Sequence, residues 1–433
     1  MLFVGIDWAE ASHTLCVLDA AGQVVASATV PDGSEGLSAI HALVAAHAAT
    51  PAEVVIGIET DHGLLVGALA AAGYQLYAIN PFMVSRYRER SSASGKKSDA
   101  GDAKVLADLI RTDRHQHRPL TADSTMATAL QLLARSHQRL VWDRQRHANQ
   151  LRSALRDFYP AALTIFGSAL TTPEALALLG RAPTPARGRA LSRQQIISLL
   201  RHAGRARGVA DAAARIQTLL RAPQLEHPTM VADAYGATVS ALVAVIAALS
   251  AQIQLLERQL TTQFEAHPDA EIIDSLPGLG ALLGARVLAE FGDHPQRYAD
   301  SKARKCYAGT APITRASGLR RSVLRRHASN TFLTAWCQRW AFCALTASPG
   351  ARAYYERSRQ RGKTHQQALR ALANRLVGIL HGCLRHRTPY DEALAWPTPT
   401  MAQDTAEPHE RPDKPSKSAG HPHGSPLSVP ASA

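Results

Sequence analysis

The first eighty residues constrain the fold most. Three short apolar runs, Leu2 to Ile6, Thr14 to Leu18 and Gln23 to Val30, follow one another, and the turn Asp19-Ala-Ala-Gly22 joins the last two into a hairpin. Residues 36–48 then switch to helical spacing, and Glu53 to Ile58 is a β-branched run of the kind found in buried parallel strands. A helix is predicted over Gly63 to Ala72 and a strand over Gln75 to Ile79, with Asn80-Pro81 as the stop. Antiparallel strands followed by α/β alternation predict one mixed sheet with helices against it.

That order is the one expected of an α/β ribonuclease-H-like sheet, although other mixed folds share it. Beyond Pro81 strand signals nearly vanish, which predicts a mostly α remainder. Residues 124–158 and 227–266 are long and helically periodic, suited to an antiparallel coiled arm or a dimerisation device. Between them, residues 160–226 carry Pro and Gly breaks and predict a helical insert. The most apolar run, Gly236 to Leu256, is Ala-rich and holds Ser240, Ser250, Gln252 and Gln254, so it reads as a core helix and not a membrane span. From Trp396 onward, eight of the 24 prolines fall in 38 residues, which predicts a disordered tail.

Charge is distributed unevenly. Residues 1–80 contain no Lys or Arg and eight carboxylates, whereas residues 301–390 contain eighteen Lys or Arg and one acid, Glu356. Such a block repels itself unless it meets a polyanion, and arginine favours forked contacts to phosphate. Five scattered cysteines without Cys-x-x-Cys spacing argue against disulfides and structural zinc and fit a reducing cytoplasm. The start, Met1 to Asp7, has no basic flank and is not read as a signal peptide.

Four acids stand where chain geometry can gather them. Asp7 follows the first strand and Glu59 the fourth, while Asp99 and Asp102 lie three apart at the start of a helix through Val105, Leu106 and Leu109. Spacing of three puts both on its apolar face, toward the sheet. Converging carboxylates repel one another, and a hard divalent cation, Mg²⁺ or Mn²⁺, relieves this. The simpler alternatives are a solvated turn after a strand and a helix cap formed by Ser98, Asp99 and Asp102. Glu10 and Asp61 are the nearest competitors for the same roles.

Two elements stand out near the other end. Residues 272–292 read as helix, Pro277-Gly278-Leu279-Gly280 turn, and helix, a geometry that leaves backbone N–H groups to grip a phosphate or serves as a plain tight connection. Downstream, Ser317 precedes Gly318 in a predicted loop bracketed by Arg315, Arg320, Arg321, Arg325 and Arg326. Guanidinium groups there would stabilise an incipient alkoxide and a phosphorane, although a Ser-Gly pair is more often a turn and Ser322 and Ser329 are rivals.

Gly5-Ile-Asp7-Trp-Ala, Ile58-Glu59-Thr, Lys97-Ser-Asp99-Ala-Gly-Asp102-Ala, Leu276-Pro-Gly-Leu-Gly280 and the element Ala311-Pro through Ser317-Gly together resemble an insertion-sequence transposase family. Its members pair a RuvC-like Asp-Glu-Asp-Asp domain with a C-terminal serine transposase domain, and include Piv-type invertases and bridge-RNA-guided recombinases. The resemblance covers about residues 1–390. It implies that Asp7, Glu59, Asp99 and Asp102 bind Mg²⁺ and that Ser317 links covalently to DNA. It also implies a homo-oligomer, dimer or tetramer, a guide RNA, and a bacterial cytoplasmic location. Here Ala316 precedes the serine, where many relatives have Gln. The corresponding domains are 1–120, a metal-dependent catalytic domain; 121–268, a coiled helical region with its insert; 269–392, the serine domain; and 393–433, the tail. Expected nucleic-acid contacts are Lys96, Lys97, Gly278, Gly280, Lys302, Arg304, Lys305 and the arginines around Ser317, with Arg135, Arg139, Arg144, Arg146, Arg152 and Arg156 cradling RNA. The rival functions are a structure-specific nuclease with an idle serine and a non-catalytic nucleic-acid-binding scaffold.

Overall fold

The computed structural model describes residues 1–91, 98–121, 123–318 and 320–397. Lys96, Lys97, the side chains of Arg320 and Arg321, and the proline-rich tail from 398 fall outside the described residues. The chain divides into two compact units, Met1–Tyr390 and Asp391–Ala433; in the second, the described element is a short helix, Glu392–Ala395.

The first unit opens with β1 (Leu2–Trp8), β2 (Ser12–Leu18), β3 (Val24–Pro31), α1 (Ser34–Ala45), β4 (Val54–Ile58), α2 (Leu64–Ala71) and β5 (Gln75–Ala78), each within about two residues of its expected position. The sheet order is β3-β2-β1-β4-β5. β1 and β3 run antiparallel to β2, whereas β4 runs parallel to β1 and to β5. Alternation along the strands sorts the two faces. Val4, Ile6, Ile56 and Ile58 meet Ile40 and Val44 of α1 and Val66 and Leu69 of α2. On the opposite face, Phe3 and Val55 meet the helices that follow β5, α3 (Pro81–Ser91) and α4 (Asp99–Thr112).

α3 was not anticipated from the sequence. Pro81, taken as a stop, instead occupies the first helical position, where its missing N–H costs nothing, and the Asn80 side chain accepts from Phe82 N. α4 lies unusually close to the sheet because β1 and β4 each present a glycine to it. A Cβ on Gly5 would stand 1.9 Å from the Ala103 carbonyl oxygen and 2.5 Å from Ala107 N, and one on Gly57 would stand 2.9 Å from Ile110 Cγ2.

Two long helices, α5 (Thr125–Phe158) and, beyond the short helices α6 (Pro160–Phe166), α7 (Pro173–Arg181), α8 (Pro185–Ala190), α9 (Arg193–His202) and α10 (Val209–Arg221), α11 (Thr229–Glu265), form an antiparallel coiled pair. Their inward residues keep a three-four repeat: Ala127, Leu130, Ala134, His137, Ala148, Leu151, Leu155 and Phe158 on α5, and Gly236, Val239, Val243, Ile246, Ile253, Leu260 and Phe264 on α11. Polar side chains fill the gaps in this seam, with His137 Nε2 3.1 Å from Glu257 Oε1 and Arg144 3.5 Å from Ser250 Oγ. The short helices close over the far end of the pair with their own core, including Tyr159, Leu178, Ile196 and Leu220. Among the described residues, α11 alone is long and apolar enough to cross a membrane by length and composition.

The remainder comprises α12 (Ala270–Asp274), α13 (Gly280–Phe291), α14 (Ser301–Tyr307), a hairpin of β6 (Ile313–Ser317) and β7 (Arg320–Leu324), α15 (Thr331–Ala347), α16 (Pro349–Gln360) and α17 (His365–His386). The hairpin was not legible because its exposed strands bury no apolar face: Val323 is 64% exposed. One turn of α5 attaches this region to the arm. Arg135 donates twice to the fully buried Glu290 of α13, at 2.6 and 2.9 Å, and Trp336 of α15 donates to Gln138 at 3.0 Å.

Candidate nucleic-acid-processing site

The sheet brings three of the four predicted acids toward one place. Ile6 of β1 is in register with Ile58 of β4, so Asp7 and Glu59 are the next residues along neighbouring parallel strands. Phe3, Gly5 and Asp7 alternate onto the face covered by α4, and the alternation of Val55 and Gly57, carried one residue on, puts Glu59 on the same face. α4 touches Gly5 through Ala103, the neighbour of Asp102. Asp102 is buried, Asp7 and Glu59 are half-buried, and all three approach the carboxyl ends of β1 and β4.

Asp99 departs from the expectation that both helix acids face the sheet: it is exposed. It lies four residues, about 6 Å of helix rise, before the glycine crossing at Ala103, and so precedes the part of α4 that the sheet covers. Its position in the first turn, with Ser98 Oγ accepting from Gly101 N at 3.2 Å, suits the cap reading and the helix dipole.

Asp102 is ion-paired with Arg88 of α3. The two helices are tied further by Tyr87, which donates to Asp108 Oδ2 at 3.1 Å, while Arg111 donates to Asp108 Oδ1 within α4. Sequence reasoning missed Arg88 because the helix bearing it was missed; the signal available was Arg86-x-Arg88 directly after the fifth strand. The oxygen donors at Asp7, Glu59 and Asp102 suit a hard divalent cation, yet among the described residues no three acidic, His or Cys side chains stand close enough to hold one. The Arg88 guanidinium neutralises Asp102 in this arrangement.

The basic region is sorted by burial. Lys302, Arg315 and Arg325 are exposed, Lys305 and Arg326 half-buried, and Arg326 donates to the Ala311 carbonyl. Arg304, expected at a surface, is buried between Phe291 and Tyr298, its guanidinium 5.1 and 4.6 Å from their ring centres. Gly278 does not offer its backbone to a ligand: a Cβ there would stand 2.5 Å from Ala344 N, so the turn abuts α15, and Pro277 O accepts from Trp340. Gly280, also at positive φ, faces open space.

Of the arginines expected to cradle RNA, Arg135 pairs with Glu290 of α13, Arg144 turns into the seam between α5 and α11, and Arg152 donates to the Gly167 carbonyl. Ser317 ends β6 beside the Gly318 turn and is not in a loop; it is exposed and paired with Arg320 across the hairpin. Among the described residues no contact joins Ser317 to the acids. The rival Ser329 is engaged with Thr334 at 3.2 Å.

Acids at the ends of the central strands of a sheet ordered 3-2-1-4-5 define a protein of the ribonuclease-H-like class. Residues 4–160 match a DEDD-type family model described as Transposase, and residues 270–356 match one described as Transposase IS116/IS110/IS902 family. The chain is 45% identical over 401 residues to the mini-circle putative transposase for IS117 of Streptomyces coelicolor, covering 91% of this chain and 96% of that one. It is 30% identical to the 43.6 kDa protein of insertion element IS110 from the same organism, covering 91% and 96% of the two chains. It is 31% identical to the 42 kDa protein of insertion element IS900 from Mycobacterium paratuberculosis, covering 90% and 98%. The chain belongs to the IS116/IS110/IS902 family of transposases.

Proposed function

We propose that this transposase cuts and rejoins DNA with two separate groups of residues: Asp7, Glu59 and Asp102, with Asp99 as a fourth acid, and Ser317 as nucleophile. This reading is supported by Asp7 and Glu59 at the ends of neighbouring parallel strands, with α4 packed on that face through the neighbour of Asp102, in a chain of a transposase family. The acids would hold Mg²⁺ or Mn²⁺, which when bound supplies charge stabilisation at a phosphodiester. Asp102 must then exchange Arg88 for the ion.

Ser317 Oγ displaces a sugar oxygen at phosphorus, its proton passing to solvent while the departing sugar oxygen takes one from solvent to become a free hydroxyl, and leaves a serine phosphodiester. A DNA hydroxyl later displaces the serine, so the bond energy is conserved and no ATP is needed. Exposure of Ser317 on a narrow hairpin suits delivery to DNA held by another protomer's acids, which calls for a dimer or tetramer. Exposed Lys302, Arg315 and Arg325 contact backbone phosphate, and a guide RNA supplies sequence choice.

The test is a pair of variants assayed on DNA bearing the element's ends. Asp102→Asn should bind DNA as the parent does and cleave none; undiminished cleavage would end the reading. Ser317→Ala should abolish the covalent protein–DNA adduct on a denaturing gel. The placement of the acids on the sheet and of Ser317 on a separate exposed hairpin suits a second reading, a metal-dependent nuclease with an idle serine, which full cleavage by Ser317→Ala would support.

A further inference from the structure

A recess of about 580 Å³ opens in the C-terminal region, away from the four acids and from Ser317. Its lining includes Arg304 of α14, His381 and Arg385 of α17, Arg387, Asp269 and Asp293. The two acids are already engaged. Asp269 is ion-paired with Arg387, and Asp293 accepts from Ser124 N at 2.9 Å and lies 3.2 Å from His267 Nε2. Arg304, by contrast, is only 7% exposed, and its Nε and NH1 have no hydrogen-bond partner.

A buried guanidinium with unmet donors is costly, because it has lost water and gained no anion. The rings of Phe291 and Tyr298 offset part of that cost, but they satisfy no N–H. A second unmet polar atom, His381 Nδ1, is buried on the same wall, and Arg385 stands exposed at the rim. Donors in excess around one polar recess define the chemistry of a tetrahedral oxyanion.

We propose that this recess is a phosphate-binding site, with Arg304 as its inner donor and His381 and Arg385 closing on the remaining oxygens. The phosphate belongs either to a nucleic-acid strand or to a small free species, and both carry the oxyanion the recess fits. The site is independent of the cleavage chemistry above, so its existence does not rest on that reading.

The experiment measures binding of inorganic phosphate, and separately of a short single-stranded oligonucleotide, to the full chain by calorimetry. Arg304→Met keeps a flexible apolar body between the two rings, and Arg385→Gln alters only the rim. Arg304→Met should melt no lower than the parent in phosphate-free buffer, because a stranded charge has been removed, and should bind inorganic phosphate at least about ten-fold more weakly. Arg385→Gln should weaken phosphate by a smaller factor at unchanged melting temperature. If the oligonucleotide competes with phosphate and loses affinity in both variants, the phosphate is that of a strand. If only inorganic phosphate responds, the ligand is small. The proposal is overturned if neither probe distinguishes the variants from the parent, or if Arg304→Met melts lower while still binding phosphate as the parent does. The latter outcome would make Arg304 a stacked structural cation.

Discussion

Replacing Gly5 by Ala adds one methyl group and should loosen the close contact between α4 and β1 and, with it, the proposed acid site. The added Cβ would lie 1.9 Å from the Ala103 carbonyl oxygen and 2.5 Å from Ala107 N, both backbone atoms that no rotamer change can move aside. Reaching even 3.0 Å requires α4 to retreat from β1 by about 1 Å. Ala103, Leu106, Ala107 and Ile110 are fully buried, so the retreat loosens contacts along the helix. Overpacking of this kind costs about 1–3 kcal/mol. The same movement carries Asp102 away from Asp7, and a misplacement of about 1 Å is worth about 10²-fold in rate. Urea denaturation reads the first effect and single-turnover DNA cleavage the second. Gly67→Ala, within α2 and with nothing inside 4 Å of the added atom, is the control and should stabilise by about 0.5–1 kcal/mol. A Gly5→Ala protein with parental stability and cleavage would refute the claim that helix-to-sheet backbone contact positions Asp102.

Three further outcomes follow from buried charge. Glu290→Gln strands the Arg135 guanidinium and should cost about 3 kcal/mol in denaturant, whereas Arg135→Met with Glu290→Leu should cost less; equal costs would refute a charge-pair origin. Burial, reinforced by the Arg286 guanidinium, holds the pKa of His137 below its ordinary value, so the unfolded chain takes up a proton first as pH falls. Stability should therefore be full above about pH 6.5 and decline on acidification below it, by at most about 1.4 kcal/mol per pH unit for this histidine. His381 and His117, lowered chiefly by desolvation, add in the same direction, and His137→Gln should flatten the profile measured by denaturation between pH 7 and 5. Arg88→Ala removes the competitor for Asp102 and should lower the Mg²⁺ concentration needed for half-maximal cleavage several-fold; an unchanged requirement would show that the Arg88 pair does not oppose the ion.

The sheet was legible because alternation and turn residues are local signals, and the long helices because a three-four apolar repeat persists over ten turns. The neighbouring positions of Asp7 and Glu59 were legible for the same reason, since strand order fixes them without knowledge of any side-chain contact. Asp99 was misread because periodicity says which way a residue points but not where along the helix the sheet begins. The burial of Arg304 and of the Gly278 turn was not legible for a different reason, since a basic residue and a Gly-rich turn look alike whether they face solvent or the interior; Phe291 and Tyr298 on the preceding segment and the backbone of α15 decide between those states.

One turn of α5 does more than extend the arm. Arg135 reaches Glu290 on α13, His137 faces Glu257 across the seam and accepts from Arg286, and Gln138 accepts from Trp336 on α15. A register slip of the coiled pair by one heptad would move Glu257 some 10 Å from His137 and leave Arg286, whose pKa burial already depresses, without its electrostatic partner. Apolar heptads alone tolerate such slips, whereas a buried polar layer does not. The alignment of the arm and the seating of the basic helical region are therefore set by the same few side chains. Upstream, the start of α5 is fixed to that region as well, with Asp123 accepting from the backbone of Asp293 and His294 and ion-paired with Arg297. The segment leading there from α4 is pinned to the sheet where Leu120 N donates to Leu76 O at 2.7 Å. Within the first unit, then, Asp123 holds the start of α5 to the arginine-rich helical region, and Leu120 holds the segment before it to the acid-bearing sheet.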